Sequence, residues 1–180
     1  VPMFTDTRSK RVIFLAHCIL NQNAISDGTA GYPAAHADLI RTLLDAQVGI
    51  VQMPCPELCC LGLDRGDPQG AERPVVVENT RIRVALGAPE ATAQLDRLVD
   101  HVMLQIREYR RHGFTVVGIV GVNRSPSCGV DTTSDRDREL PGQGVFLAQL
   151  TAALDTAGLS IPVVGVKCTP EAMDKIRSIL

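Results

Sequence analysis

The sequence of 180 residues contains no tryptophan, and aromatic residues make up only 3% of it. Proteins that bind single-stranded nucleic acid stack bases on aromatic side chains, so their scarcity argues against that function. The net charge of −2 gives no overall basic field for nucleic acid or an anionic membrane. No apolar run approaches the roughly 18 residues of a membrane-spanning helix, and we expect no secretory signal from the first residues. We expect a cytoplasmic protein that binds neither a nucleic acid polymer nor a membrane.

Six cysteines stand out against this background. A reducing cytoplasm keeps thiols free, which favours metal binding or thiol chemistry over disulfides. The sequence has no CxxC pair and no paired histidines, so the local spacing of a zinc site is missing. A local cluster of Cys55, Cys59 and Cys60 is a weaker alternative, because two adjacent cysteines do not easily face one metal.

Short apolar runs alternate with helical patterns along the chain. The runs that predict buried strands are 11–17, 48–53, 115–121 and 162–167. Residues 89–112 predict a long amphipathic helix that stops at Gly113. Strands that alternate with helices imply an α/β fold, with a mainly parallel, doubly wound (Rossmann-like) sheet and helices on both faces. The length favours a single domain over residues 1–180.

The remaining segments receive less regular predictions. Residues 54–74 contain four prolines and three glycines and predict a long loop. Residues 74–86 predict a hairpin or an added strand, and residues 131–141 form a polar segment. The other predicted helices lie in 34–47, with Leu39, Ile40, Leu43 and Leu44 on one face, over 142–157, and from a cap at Thr169, Pro170 and Glu171 to the C-terminus.

Three cysteines follow the ends of predicted strands: Cys18 in RVIFLAHC, Cys55 in GIVQMPC and Cys128 in NRSPSC. Cys168 repeats the arrangement in PVVGVKC. A doubly wound sheet binds ligands outside the carboxyl ends of its strands, so thiols far apart in sequence could meet there. Such a convergence suits a soft-metal or iron–sulfur centre. A packed core thiol is the alternative for any one of them taken alone.

Three motifs together resemble the small bacterial thiouracil desulfurase family. They are the cysteine after the first strand, CPE at 55–57 and SPSCG at 125–129, in that order. The resemblance runs from residue 11 to about residue 130, and the helix and strand that follow are compatible with it. It implies a [4Fe-4S] cluster held by Cys18, Cys55 and Cys128. One iron would then remain open to the sulfur of a small thiolated substrate.

The resemblance also implies which residues act in catalysis. Glu57 matches the glutamate of CPE, and Ser125 and Ser127 match the serines of SPSCG. A soft thiocarbonyl sulfur binds iron, which polarises its carbon, and Glu57 activates the water that attacks. The expected function is a non-redox desulfuration that releases sulfide. Turn formation around Pro126 is the alternative role for the serines, and a loop or helix-cap acid is the alternative for Glu57.

The chain departs from the family pattern around two of the motifs. It reads CILNQNAISDG after Cys18 and LCCLGLDRGDPQG after CPE, so we expect a divergent branch with another thiocarbonyl substrate. If Cys168 were a fourth ligand, the protein would be a non-catalytic iron–sulfur module for electron transfer or sensing. We expect Cys168 near the site without binding iron. A cluster-free thiol enzyme ranks last, because no Cys–His pairing supports it.

Overall fold

Parallel strands form the centre of the fold, in the order β2-β1-β3-β6. The strands are β1 (Arg11–Leu15), β2 (Gly49–Gln52), β3 (Thr115–Val122), β4 (Thr132–Asp135), β5 (Arg138–Pro141) and β6 (Val163–Val166). The structure is a computed structural model that describes residues 3–167 and 171–180. Strand β1 is buried over four consecutive apolar residues, as in parallel sheets that are covered on both faces. The predicted α/β fold class is confirmed.

Helices connect the parallel strands and cover the sheet. They are α1 (His17–Leu20), α2 (Ala37–Asp45), α3 (Pro56–Leu61), α4 (Val75–Leu86), α5 (Pro89–Arg111), α6 (Val145–Thr156) and α7 (Glu171–Arg177). The chain moves outward from β1 to β2 and then back past β1 to β3. Right-handed crossovers therefore place α2 on one face and α5 with α6 on the other. None of the helices in the described part of the chain could cross a bilayer.

The long helix α5 supplies much of the core. Its buried stripe repeats every three or four residues, at Leu95, Leu98, Val99, Val102 and Ile106. The amphipathic pattern predicted for 89–112 is confirmed. The helix ends as predicted, because Gly113 adopts the left-handed conformation (φ 78°) that a glycine reaches without steric cost.

Two of the predictions on helices are wrong. Residues 75–86 form helix α4 rather than a hairpin or strand. The valines at its start favour strands. The helix, however, buries Ile82 and Leu86 at a spacing of four, and this tertiary packing outweighs the strand preference of the valines. In α2, Leu39 and Leu43 are buried, whereas Leu44 is 60% exposed and does not share their face.

The segment 54–74 is not a continuous loop, because α3 occupies 56–61 and a short 3₁₀ turn spans Gly70–Glu72. The polar segment 131–141 is an antiparallel hairpin of β4 and β5. Its two turn residues, Arg136 and Asp137, both have positive φ, as a type I′ turn requires. The sequence shows no Asn-Gly or Asp-Gly signal for this turn. Cys168 and the predicted helix cap at Thr169 and Pro170 lie outside the described residues.

Candidate active site

One pocket at the carboxyl ends of the parallel strands contains all three cysteines of the resemblance. Cys18 follows β1, Cys55 follows β2 and Cys128 follows β3, and all three line a cavity of about 200 Å³. The cavity lies where the strand order reverses, between β1 and β3, which is the usual ligand crevice of such sheets. Cys55 is 37 positions from Cys18, and Cys128 is 73 positions from Cys55. The topology of the sheet therefore brings together cysteines that are far apart in the sequence.

Cys18 lies on the short helix α1, directly after β1. The amide of Ala16 extends the pairing of β1 with β3 by donating to the carbonyl of Val120 at 2.8 Å, and α1 begins at the next residue. The helix is a single turn, and the side chain of Gln22 donates to the carbonyl of Cys18 at 2.7 Å. These contacts place Cys18 at the edge of the sheet that faces the pocket.

Cys55 is the N-cap residue of α3. Its Sγ accepts a hydrogen bond from the amide of Leu58 at 3.5 Å. Pro56 occupies the first helical position and Glu57 follows in the first turn. This combination is typical of helix starts, so the sequence did contain the signal for α3. Burial, together with the nearby carboxylate of Glu57, raises the pKa of the Cys55 thiol to about 11.

Cys128 lies in a tight turn that Ser125 organises. The hydroxyl of Ser125 accepts hydrogen bonds from the amides of Ser127 at 3.2 Å and of Cys128 at 2.9 Å. A Cβ atom on Gly144 would lie 2.3 Å from the carbonyl carbon of Ser127, so only glycine permits this packing. Burial raises the pKa of the Cys128 thiol well above its ordinary value. Without metal this thiol is neutral near pH 7, so metal binding would have to displace its proton.

Glu57 is the centre of a buried polar network. Its Oε1 accepts from the hydroxyls of Ser127 at 2.7 Å and Ser125 at 3.4 Å. Its Oε2 accepts from Nε of Arg65 at 3.1 Å and from the hydroxyl of Ser26 at 3.3 Å. A carboxylate offers about four lone-pair sites, so these four donors occupy all of them. We call these five residues the Glu57 network.

Sequence reasoning missed two members of this network, Ser26 and Arg65. Arg65 is only 2% exposed, and its guanidinium also donates to the carbonyls of Ala24, Gly62 and Leu63. One of its nitrogens lies 3.9 Å from Sγ of Cys55. Nothing in the local sequence distinguishes Arg65 from the neighbouring arginines, because its burial depends on the fold.

The pocket offers three thiols, from Cys18, Cys55 and Cys128, and thiol sulfur is the donor type that iron–sulfur clusters take. Among the described residues, no group of three or more His, Cys, Asp or Glu side chains is arranged to hold a metal ion. In the part of the chain that the structure describes, Cys59 is exposed and Cys60 donates to the carbonyl of Ala91, and neither lines the pocket. Cys55, Cys59 and Cys60, the alternative cluster, therefore do not share this pocket.

Comparisons with known proteins return an uncharacterized sequence relative and a structural neighbour. No family model matches the chain. An uncharacterized protein of the archaeon Methanocaldococcus jannaschii is 25% identical over 123 residues, which are 68% of this chain and 70% of that protein. Among solved structures, the chain is similar to a [4Fe-4S]-dependent thiouracil desulfidase, TudS. The identity is 18%, the alignment covers 93% of this chain and 99% of that chain, and the TM-score is 0.46.

Proposed function

We propose that this protein is an iron–sulfur enzyme that replaces the sulfur of a small thiocarbonyl compound by oxygen. Water supplies the oxygen and the sulfur leaves as hydrogen sulfide, so the reaction has no net redox change. The observation that carries the proposal is the shared pocket, in which three cysteines meet a buried glutamate and two serines. The proposal rests on this site and its motifs rather than on the likeness to the desulfidase.

Cys18, Cys55 and Cys128 would hold the cluster. A [4Fe-4S] cluster bound by three cysteines supplies one iron without a protein ligand, a Lewis acid with affinity for soft sulfur. The cluster would fill part of the cavity of about 200 Å³, which is already smaller than the roughly 300–1,000 Å³ of most ligand pockets. The substrate is therefore expected to be a small compound.

Glu57 would hold the water and accept its proton at Oε1. The longest of its four hydrogen bonds is the one from Ser125, at 3.4 Å. A water molecule can replace that bond, because the Ser125 hydroxyl has a second partner in the hydroxyl of Ser127 at 3.2 Å. The shorter contacts from Ser127 and Arg65 keep the carboxylate in place meanwhile.

The first test is the iron and acid-labile sulfide content after anaerobic purification. We expect about four of each per chain, as for a cubane cluster. Cys18→Ser, Cys55→Ser and Cys128→Ser should each lose most of the iron. Cys59→Ser is the matched control, because this cysteine is exposed and lies outside the pocket, and it should keep the cluster. Equal iron in all four variants would contradict the proposal.

The second test is sulfide release from a panel of small thioamides and thiolated bases. Protein with a full cluster should release sulfide, and protein stripped of iron should not. Cys168→Ser belongs in the same series. A retained cluster supports an iron without a fourth protein ligand, whereas a lost cluster would favour the electron-transfer or sensing module.

A further inference from the structure

Arg124 occupies an unusual backbone position at the edge of the pocket. Its φ is 73°, in the left-handed region that a residue with a Cβ atom rarely adopts. It directly precedes the SPSCG motif, and it lines the same cavity as the three cysteines. Non-glycine residues held in this region cluster at ligand sites, where the surrounding structure enforces the conformation.

Hydrogen bonds to neighbouring residues hold the backbone of Arg124 in this left-handed conformation. Its amide donates to the carbonyl oxygen of Thr132 at 3.0 Å and to the Thr132 hydroxyl at 3.1 Å. Its carbonyl accepts from the hydroxyl of Ser134 at 2.7 Å and from the side-chain amide of Asn79 at 3.4 Å. Ser134 and Asn79 are both buried. Strand β4 and helix α4 thus hold this one peptide from two sides.

The guanidinium of Arg124, in contrast, has no hydrogen bond or ion pair with any residue that the structure describes. The two other strong cations that line the cavity are already paired: Arg65 with Glu57 at 3.1 Å, and Lys167 with Glu139 at 2.7 Å. Glu139 also accepts from the Thr132 hydroxyl, at 2.7 Å. Hydrogen bonds, chiefly from Lys167, lower the pKa of the Glu139 carboxyl, and the charge of Arg124 adds to this effect. The fold therefore fixes the backbone of Arg124 at the cavity and leaves the five donors of its guanidinium without a hydrogen-bond partner among the described residues.

We propose that Arg124 binds a carboxylate on the substrate, so that the preferred substrates are small thiocarbonyl compounds that carry a carboxylate. This inference rests on the proposed function and specifies its substrate class. The planar guanidinium matches a carboxylate through two parallel hydrogen bonds. The partly buried position of Arg124 strengthens that attraction relative to open water.

The test compares two matched substrates, 2-thiouracil-5-carboxylic acid and its carboxamide. We expect the wild-type protein to prefer the acid. Arg124→Gln should lower kcat/KM for the acid about 10–100-fold, the range for a lost hydrogen bond to a charged group, and leave the amide nearly unchanged. Arg124→Lys should recover part of the loss, since it keeps the charge without the planar donors.

The control is Arg41→Gln, which removes the same charge from an exposed position on α2 outside the cavity. Arg41→Gln should leave kcat/KM unchanged for both the acid and the amide. Arg124→Gln keeps a Cβ atom at this position, so the energetic cost of the backbone at φ 73° is the same in the variant and in the wild type. An equal loss for acid and amide, or no preference for the acid in the wild type, would overturn the proposal.

A binding measurement separates this inference from the proposed function. Uracil-5-carboxylate and uracil-5-carboxamide contain no sulfur, so calorimetry with them does not depend on desulfuration. If Arg124→Gln removes carboxylate binding while no thioamide releases sulfide, the anion site stands and the desulfidase function falls. If sulfide is released without preference for the acid, the function stands and the anion site falls. The carboxylate assignment would be overturned if inorganic phosphate competed with uracil-5-carboxylate more strongly than acetate does.

Discussion

Two buried glutamates of this protein pair with arginines but differ in what surrounds the pair. Glu57 is 5% exposed and Glu78 is 6% exposed, so the two carboxylates are removed from water to the same degree. Both form ion pairs close to 3 Å. The difference between them therefore lies in the partners rather than in the glutamates.

Glu78 is held by arginines that keep contact with water. The side chains of Arg73 and Arg81 are 37% and 30% exposed, and Arg73 also binds Asp67. A Cβ on Gly70 would lie 2.6 Å from Oε1 of Glu78, so this carboxylate packs directly on the 3₁₀ turn at Gly70–Glu72. Through these contacts Glu78 links helix α4 to that turn.

Glu57, in contrast, has a partner as buried as itself and three hydroxyl donors besides. A buried ion pair replaced by apolar residues is often no less stable, so stability alone does not explain this arrangement. The hydroxyls orient a carboxylate that faces a pocket of three thiols. The comparison separates a carboxylate at a pocket with buried, oriented partners from a carboxylate whose arginine partners are solvated.

The largest expected effect is that of Glu57→Gln. Under the proposed function it should lower sulfide release about 10²–10⁴-fold, the usual contribution of general base catalysis. It should also lower the free energy of unfolding by about 3–5 kcal/mol, because Arg65 is left as a buried charge without its carboxylate. Iron content should stay unchanged. Sulfide release and chemical denaturation measure the two effects.

The matched control for this change is Glu78→Gln, which should leave sulfide release within about twofold, because Glu78 does not line the cavity of the three cysteines. If Glu57→Gln fails to fold, Glu57→Asp takes its place in the test. It keeps the negative charge but moves the carboxylate away from the water that Glu57 would hold. Equal activities for the variants at positions 57 and 78 would remove the distinction between the two glutamates.

A smaller effect is expected from Arg65→Met, which leaves the Glu57 carboxylate with hydroxyl donors only. The unfolding free energy should fall by a similar few kcal/mol, roughly 3, and sulfide release should fall less than in Glu57→Gln. The double variant with Glu57→Gln should be more stable than the sum of the two losses predicts, by about 0.5–3 kcal/mol. Strict additivity, measured by denaturation of all four proteins, would mean that the two side chains do not act as a pair.

The parallel sheet was predictable from local apolar runs, and the meeting of the three cysteines was predictable from the topology of such a sheet. Apolar runs marked the strands, and each cysteine followed the end of one of them. The topology rule for ligand crevices then placed Cys18, Cys55 and Cys128 at one edge. Their role as cluster ligands stays a prediction, as do the catalytic roles of Glu57, Ser125 and Ser127.

The partners of Glu57 were not predictable, because they depend on tertiary packing. Arg65 and Ser26 come from two different irregular segments, and neither segment has a periodic pattern. Helix α4 was missed because its valines favour strands, although its packing against β4 is what fixes Arg124. Helix α3 was missed despite the cap signal at Cys55, Pro56 and Glu57, because the prolines nearby predicted a loop.

The smallest expected effect is the pH dependence of Glu78→Gln. Hydrogen bonds, chiefly from Arg81, hold the pKa of the Glu78 carboxyl below its ordinary value of 4.5. Its carboxylate therefore stabilises the folded protein fully above about pH 4.5, and this contribution is lost as the pH falls through the lowered value. Solvated arginine partners limit it to about 1 kcal/mol. Denaturation midpoints should differ between the wild type and Glu78→Gln near pH 7, and the difference should shrink on acidification. A difference that grows instead would mean that Glu78, like Glu57, depends on more than its solvated arginines.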